Sequence, residues 1–187
     1  MSFLPKGYSA PKAESNYLKP TDGQIKFRVI SQAIVGVEYW KEEDNKKIPV
    51  RLREMPQNIP NDIQDNGEIK HFIAFTVIDR WNEKIKIFES TQVSVIKAIE
   101  SIVTDVDWGE PTGYDISVTG TGQGKERRYS TVPCPPKELT KEEKELVKKT
   151  KVNLEALFYG ENPFDEKWEA PAKIVEPEEV ELKDVPF

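Results

Sequence analysis

The sequence predicts a mainly β domain with two helices, and three observations predict it. Ile25, Phe27 and Val29 alternate with Lys26 and Arg28, and "IKHFIAFTVID" and "KIKIFEST" continue as strand-like runs; such patterns mark half-buried strands. The spacing turns helical in "STQVSVIKAIESIVTD" and in "TKEEKELVKKTKVNLEALFYG". After Gly160, Glu, Pro and Lys dominate and apolar residues become scarce, a composition that predicts disorder.

Residues 1–20 are rich in Pro, Ser, Lys and Tyr without periodicity and read as an N-terminal arm. "QIKFRVISQAIVGVEYW" follows as one long strand, with Gly36 where such a strand can kink or bulge. "KKIPVRLRE" is a short edge strand, because Pro49 has no N–H for a ladder. "MPQNIPNDIQDNGE" is a loop, and "RWNE" turns between the next two strands. In the first helix Gln92, Val95, Ile96, Ile99, Ile102 and Val103 share a face, with Ser90 or Thr91 available as cap. "YDISVTGTG" and "KERRYSTVP" read as a hairpin around a glycine-rich loop, and "CPPKEL" stops the sheet. The second helix opens on a capping box, Thr140 and Glu143, and runs through Leu146, Val147, Leu154, Leu157 and Phe158.

A helix between the third and fourth main strands is the order of the five-stranded OB barrel, with "KKIPVRLRE" as an inserted strand. A β-sandwich is the rival, but sandwiches seldom place an amphipathic helix mid-chain. The expected organisation is an arm at 1–20, an OB domain at 21–136, a C-terminal helix at 137–160 and a disordered acidic tail at 161–187.

Of the 33 Asp/Glu and 27 Lys/Arg in the 187 residues, nine acids and three lysines fall in 161–187. The body is therefore neutral and the tail carries the net charge of −6, the pattern of an interaction tail. A single cysteine, Cys134, excludes an intramolecular disulfide, which fits a reducing compartment. No apolar signal core or membrane-length run is present, so the expectation is a soluble cytoplasmic protein with no membrane partner.

Signals of catalysis are poor, and no enzyme activity, metal or cofactor is expected. His71, the one histidine, lies in a predicted strand and reads as a surface or barrel-face residue. "GTGQGK" lacks both phosphate-loop spacing and a following helix.

Binding signals are stronger. Lys125, Arg127, Arg128 and Tyr129 sit on the glycine-rich hairpin tip and the strand leaving it. If "KIKIF" buries Ile85 and Ile87, it presents Lys84, Lys86 and Phe88 on the other face. Tyr39 and Trp40 precede Lys46, Lys47, Arg51 and Arg53, and Trp81 occupies a turn. Each aromatic alone is ordinarily core and each cation a solvated face. Together, on an OB-like order, they match single-stranded nucleic acid, whose phosphates take cations and whose bases stack on rings.

The chain closes on "DVPF", an apolar ring and a free α-carboxylate after a run of acids. Asp184, Val185, Pro186 and Phe187 resemble the Asp-(Ile/Val)-Pro-Phe tip of bacterial single-stranded DNA-binding proteins, with Lys183 where that family usually has an acid. The body is similar instead to the single-stranded DNA-binding proteins of tailed phages, through "LPKGYSAP", "NYLKPTDGQIKFRVISQAIVGVEYW", "DWGEPTGYDISVTGTGQG" and "YSTVPCPP". The resemblance implies an OB fold and sequence-independent binding of single-stranded DNA in replication, recombination and repair. It also implies no catalysis, a bacterial cytoplasm as location and a tail that recruits replication or recombination proteins. Homo-oligomers are compatible with it. A protein-interaction adaptor and an RNA-binding OB module remain open as alternatives.

Overall fold

The computed structural model describes residues 15–20, 23–58 and 68–171. Eight strands join one sheet: β1 (Tyr17–Leu18), β2 (Gly23–Val29), β3 (Ile34–Glu43), β4 (Lys46–Leu52), β5 (Lys70–Asp79), β6 (Lys84–Ser90), β7 (Tyr114–Thr121) and β8 (Arg128–Pro136). Helix α1 (Val93–Thr104) lies between β6 and β7, and α2 (Lys141–Lys149) follows β8.

The strand order is β1-β6-β5-β2-β7-β8, with β3 also on β5 and β4 on β3. The expected mainly β architecture is present, but the sheet is not closed into a five-stranded barrel. Its two ends have chemical reasons not to meet. The outer edge of β6 takes β1 as a parallel neighbour. The last strand, β8, carries Pro133, Pro135 and Pro136, which have no N–H to offer a further strand.

The long first strand of the sequence reading is two strands. Val29 lies opposite Val77 and Ile34 opposite Ala74, so four residues of this segment face two of β5. The Ser31 hydroxyl accepts from the Thr76 amide at 2.9 Å and replaces the missing ladder acceptor. The break therefore falls at 30–33 and not at Gly36. Gly36 answers a different need: a Cβ there would lie 2.3 Å from the Leu52 carbonyl oxygen and 2.9 Å from the Phe72 ring. Beyond it, β3 and β4 form a hairpin through Asp44 and Asn45, both at positive φ, as a tight two-residue turn demands. β4 is an edge strand, with Pro49 opposite Trp40.

Over β5 and β6 both faces of the sheet are covered, which strand alternation alone did not reveal. One face packs Phe27, Val29, Phe75, Val77, Phe88, Ile116 and Val118 against Val95, Ile99 and Ile102 of α1. Ile96 and Val103 are half-buried, and Gln92 is the exposed N-cap residue rather than part of the apolar face. Gln92 makes no side-chain cap, and neither Ser90 nor Thr91 takes that position.

On the other face Phe72, Ala74 and Ile87 pack against Leu154 and Leu157, with Phe158 and Phe164 at the margin. The second predicted helix is thus cut short. Its capping box forms, with Glu143 N–H donating to Thr140 Oγ1 at 3.2 Å and Thr140 N–H to Glu143 Oε2 at 2.8 Å. It ends at Lys149, before β-branched Thr150 and Val152, and Asn153 caps a separate 3-10 turn at Leu154–Tyr159. Two segment boundaries shift as well. Tyr17–Leu18 belongs to the sheet rather than to an arm. Packing continues past Gly160, with Pro163 buried and Trp168 against the Tyr159 ring at 5.4 Å.

Candidate nucleic-acid interface

A cleft of about 720 Å³ opens between the β7–β8 tip and the start of β5, strands that do not pair with each other. One wall is the β7–β8 tip and the start of β8: Lys125, Arg127, Arg128 and Tyr129. The other is the start of β5, with Lys70 and His71, and the start of α1 from Thr91 to Ser94. β5 and β8 are not neighbours in the sheet, so the sheet curls to bring these walls together. The tip is shaped by Gly122 and Gly124 at positive φ, and Arg127 Nε donates to the Gly122 carbonyl at 3.4 Å. Four cations line the cleft against one carboxylate, Glu68, which pairs with Lys70 at 3.1 Å. Tyr129 is half-buried against the main core, so its ring is held.

The other residues picked from the sequence do not gather here. Phe88 is fully buried between Phe27 and Phe75, with ring centroids 4.8 and 5.1 Å away. The alternation across "KIKIF" is present, but both faces are covered, so the ring on the second face is core. Lys86, on that same face, pairs with Asp79 at 3.0 Å and is only 12% exposed. Lys84 is exposed nearby. Tyr39 is buried.

Arg51 is buried too, and its guanidinium serves two carboxylates. Nη2 donates to both oxygens of Glu89 at 2.8 and 2.9 Å, and Nε lies 3.0 Å from Glu38 Oε2, misaligned for a hydrogen bond. Arg51 is therefore a structural cation, not a phosphate ligand. Burial and the negative charge of Glu89 push the Glu38 carboxyl up to about 7, against the pull of Arg51. Arg53 is exposed, but it pairs with Glu155 and lies over the Phe158 ring at 4.4 Å, tying β4 to the C-terminal segment.

Lys46 and Lys47 stand exposed on the β3–β4 hairpin, opposite Glu43 and Glu42. Trp40, 42% exposed, borders a second cleft of about 280 Å³ with Tyr17, Lys19 and Leu157. Trp81, 67% exposed, occupies the β5–β6 turn. That turn is nine residues along β5 from His71, on the order of 30 Å away. Asp184, Val185, Pro186 and Phe187 lie outside the described residues.

The sequence reading missed Lys70 and His71 as cleft residues. Their signal was weak, a charged residue and a histidine at the head of an apolar strand. It also missed a buried ion network. Arg28, 1% exposed, donates from Nε to Asp115 at 2.8 Å and from its other nitrogens to the Thr112 and Lys137 carbonyls. Arg80 donates to both Asp115 oxygens at 3.1 and 2.9 Å and pairs with Glu143, the capping-box residue of α2. One carboxylate thus joins β2, β7 and the β5–β6 turn, and Arg80 pins α2 to them.

Among the described residues no group of His, Cys, Asp and Glu is placed to hold a metal ion, and no helix is long and apolar enough to cross a membrane. Comparison with known proteins finds no family model, no curated protein and no solved structure that matches this chain.

Proposed function

We propose that this protein binds single-stranded DNA without catalysis, in the cleft between the β7–β8 tip and the starts of β5 and α1. The observation that carries the reading is that cleft: four cations, one acid and a held aromatic ring. The cations take phosphates and the Tyr129 ring takes an unpaired base.

The fold supports the same reading. Setting aside β1 and the inserted β4 and counting β2 and β3 as one interrupted strand, the order strand, strand, strand, helix, strand, strand matches that of an OB-type domain. In that fold, oligonucleotides bind near the loops after the first strand and before the last. Here the β7–β8 tip is the second of these loops, and Glu68–His71 follow the first. Recruitment of replication or recombination proteins through Asp184–Phe187 belongs to the proposal on the strength of the sequence resemblance.

The test is fluorescence anisotropy with labelled dT, U and duplex oligonucleotides across a salt series. Three or four phosphate contacts predict a slope of log K against log salt of about −2 to −3 for a single strand. Lys125→Glu with Arg128→Glu is expected to cut affinity for dT more than about tenfold. Equal affinity for duplex, or no effect of the charge reversal, refutes the cleft. Tighter binding of U than of dT moves the reading to RNA. Failure to bind any oligonucleotide leaves an adaptor. Deleting Asp184–Phe187 is expected to abolish partner capture and leave dT affinity unchanged or slightly tighter.

A further inference from the structure

The face of β8, β7 and β2 turned away from α1 carries polar residues in register. Ser130 lies opposite Thr119, which lies opposite Gln24. Two residues along, Val132, Ser117 and Lys26 form the next row. At one corner, opposite Thr121, stands Arg128, which also lines the basic cleft. At the other stands Lys26, which shares a small cleft with Trp81. With strands about 4.8 Å apart and about 3.4 Å per residue, these corners are separated by on the order of 15–20 Å.

The charge on the strands of this strip is positive, and at its far end Glu83 and Glu143 line the cleft with Trp81 beside Lys26, Arg80 and Lys137. Arg128, Ser130 and Gln24 are exposed, and the Lys26 side chain is 40% exposed. The acid of these strands on this face, Asp115, is 5% exposed and held by Arg28 and Arg80, with Lys26 Nζ a further 3.8 Å ion-pair partner. The buried network therefore withdraws negative charge from the strip. The strip ends at an indole that is 67% exposed, where burial in the core does not explain a large aromatic.

We infer that this strip is a second stretch of the binding path: a single strand leaving the cleft at Arg128 crosses β8, β7 and β2 and ends stacked on Trp81. The inference rests on the cleft reading and extends it. The Ser130 and Thr119 hydroxyls and the Gln24 amide, itself anchored to buried Ser117 at 2.7 Å, meet the sugar-phosphate chain; Lys26 takes a phosphate, and Trp81 takes a base at the far end. The occupant follows from charge and continuity. A polyanion already seated at Arg128 meets no exposed carboxylate of these three strands on its way to Lys26.

The path predicts a length threshold. A dT oligomer of about six nucleotides fills the cleft alone, whereas one of about sixteen reaches the indole. Trp81 fluorescence, taken as the difference between the native protein and Trp81→Phe, is expected to be quenched by the longer oligomer and not by the shorter. Trp81→Ala is expected to weaken the longer about tenfold and leave the shorter unchanged. Lys26→Gln is expected to lower the salt slope for the longer oligomer by somewhat less than one. Both replaced side chains are exposed or partly exposed, so the fold is retained. If Trp81 responds equally to both lengths or to neither, while charge reversal at Lys125 and Arg128 still weakens binding, the path is wrong and the cleft stands. If the Trp81 response persists and the charge reversal has no effect, both the cleft and the path that starts at Arg128 are wrong. Absence of any binding removes both.

Discussion

Replacing Glu38 by Gln tests a buried cluster in which two acids share one base. Glu38 and Glu89 share Arg51, all three being nearly inaccessible. The Glu38 carboxyl titrates near 7 in the folded chain and near its ordinary 4.5 when unfolded. Between these values the native state holds a proton that the unfolded chain has released. Stability from this group is therefore fully present below about pH 4.5 and falls as pH rises to about 7. A displacement of this size sets a ceiling of about 3 kcal/mol, and partial hydration and the loss of the Arg51 pairing bring it to about 1–3 kcal/mol. The amide introduced by Glu38→Gln is neutral at every pH, can accept from Arg51 and can donate to Glu89. At pH 8, Glu38→Gln is expected to be more stable than the native chain by that amount, about 2–4 °C in Tm per kcal/mol. Near pH 4.5 the two should coincide. The assay is urea unfolding of both proteins at half-unit pH steps, read as their difference so that other titrating groups cancel. A difference that stays flat from pH 4.5 to 8, or grows toward acid, refutes the argument.

Two further replacements probe the framework. Asp115→Asn leaves Arg28 and Arg80 without their shared carboxylate and is expected to cost about 3–5 kcal/mol in urea unfolding; a loss below about 1 kcal/mol would show that the network is not what joins β2, β7 and the β5–β6 turn. Gly36→Ala places a methyl against the Leu52 carbonyl and is expected to cost about 1–3 kcal/mol, with loss of amide protection in the β3–β4 hairpin alone. Unchanged protection of Val37 and Leu52 would refute it.

Local patterns made most elements legible. Alternation located β2, β5 and β6, the Thr140–Glu143 box located the start of α2, and Pro49 marked β4 as an edge. The errors share one cause: a strand pattern does not say what lies over its second face. The C-terminal segment buries Phe72, Ala74 and Ile87, and Arg28 is buried by pairing rather than by apolarity, so period two was read as half-exposure where both faces are covered. Phe88 and Lys86 were misplaced for that reason. Arg51 was misplaced because its two carboxylates come from β3 and β6, 13 and 38 residues away. The hairpin tip of the cleft was legible because its residues are adjacent in sequence, whereas the opposite wall depends on how far the sheet curls. That is a property of long-range pairing, which no local window contains.

The prolines of β8 bear on more than closure. An open sheet ordinarily leaves a row of donors and acceptors that a neighbouring molecule can zip onto, the usual start of runaway association. Here the last strand has Pro133, Pro135 and Pro136 among its final four residues, so any chain laid alongside finds donors missing at whichever of those positions face outward. At the opposite end the two-residue β1 is too short to template a partner. At these two edges neighbouring molecules can therefore touch without fusing.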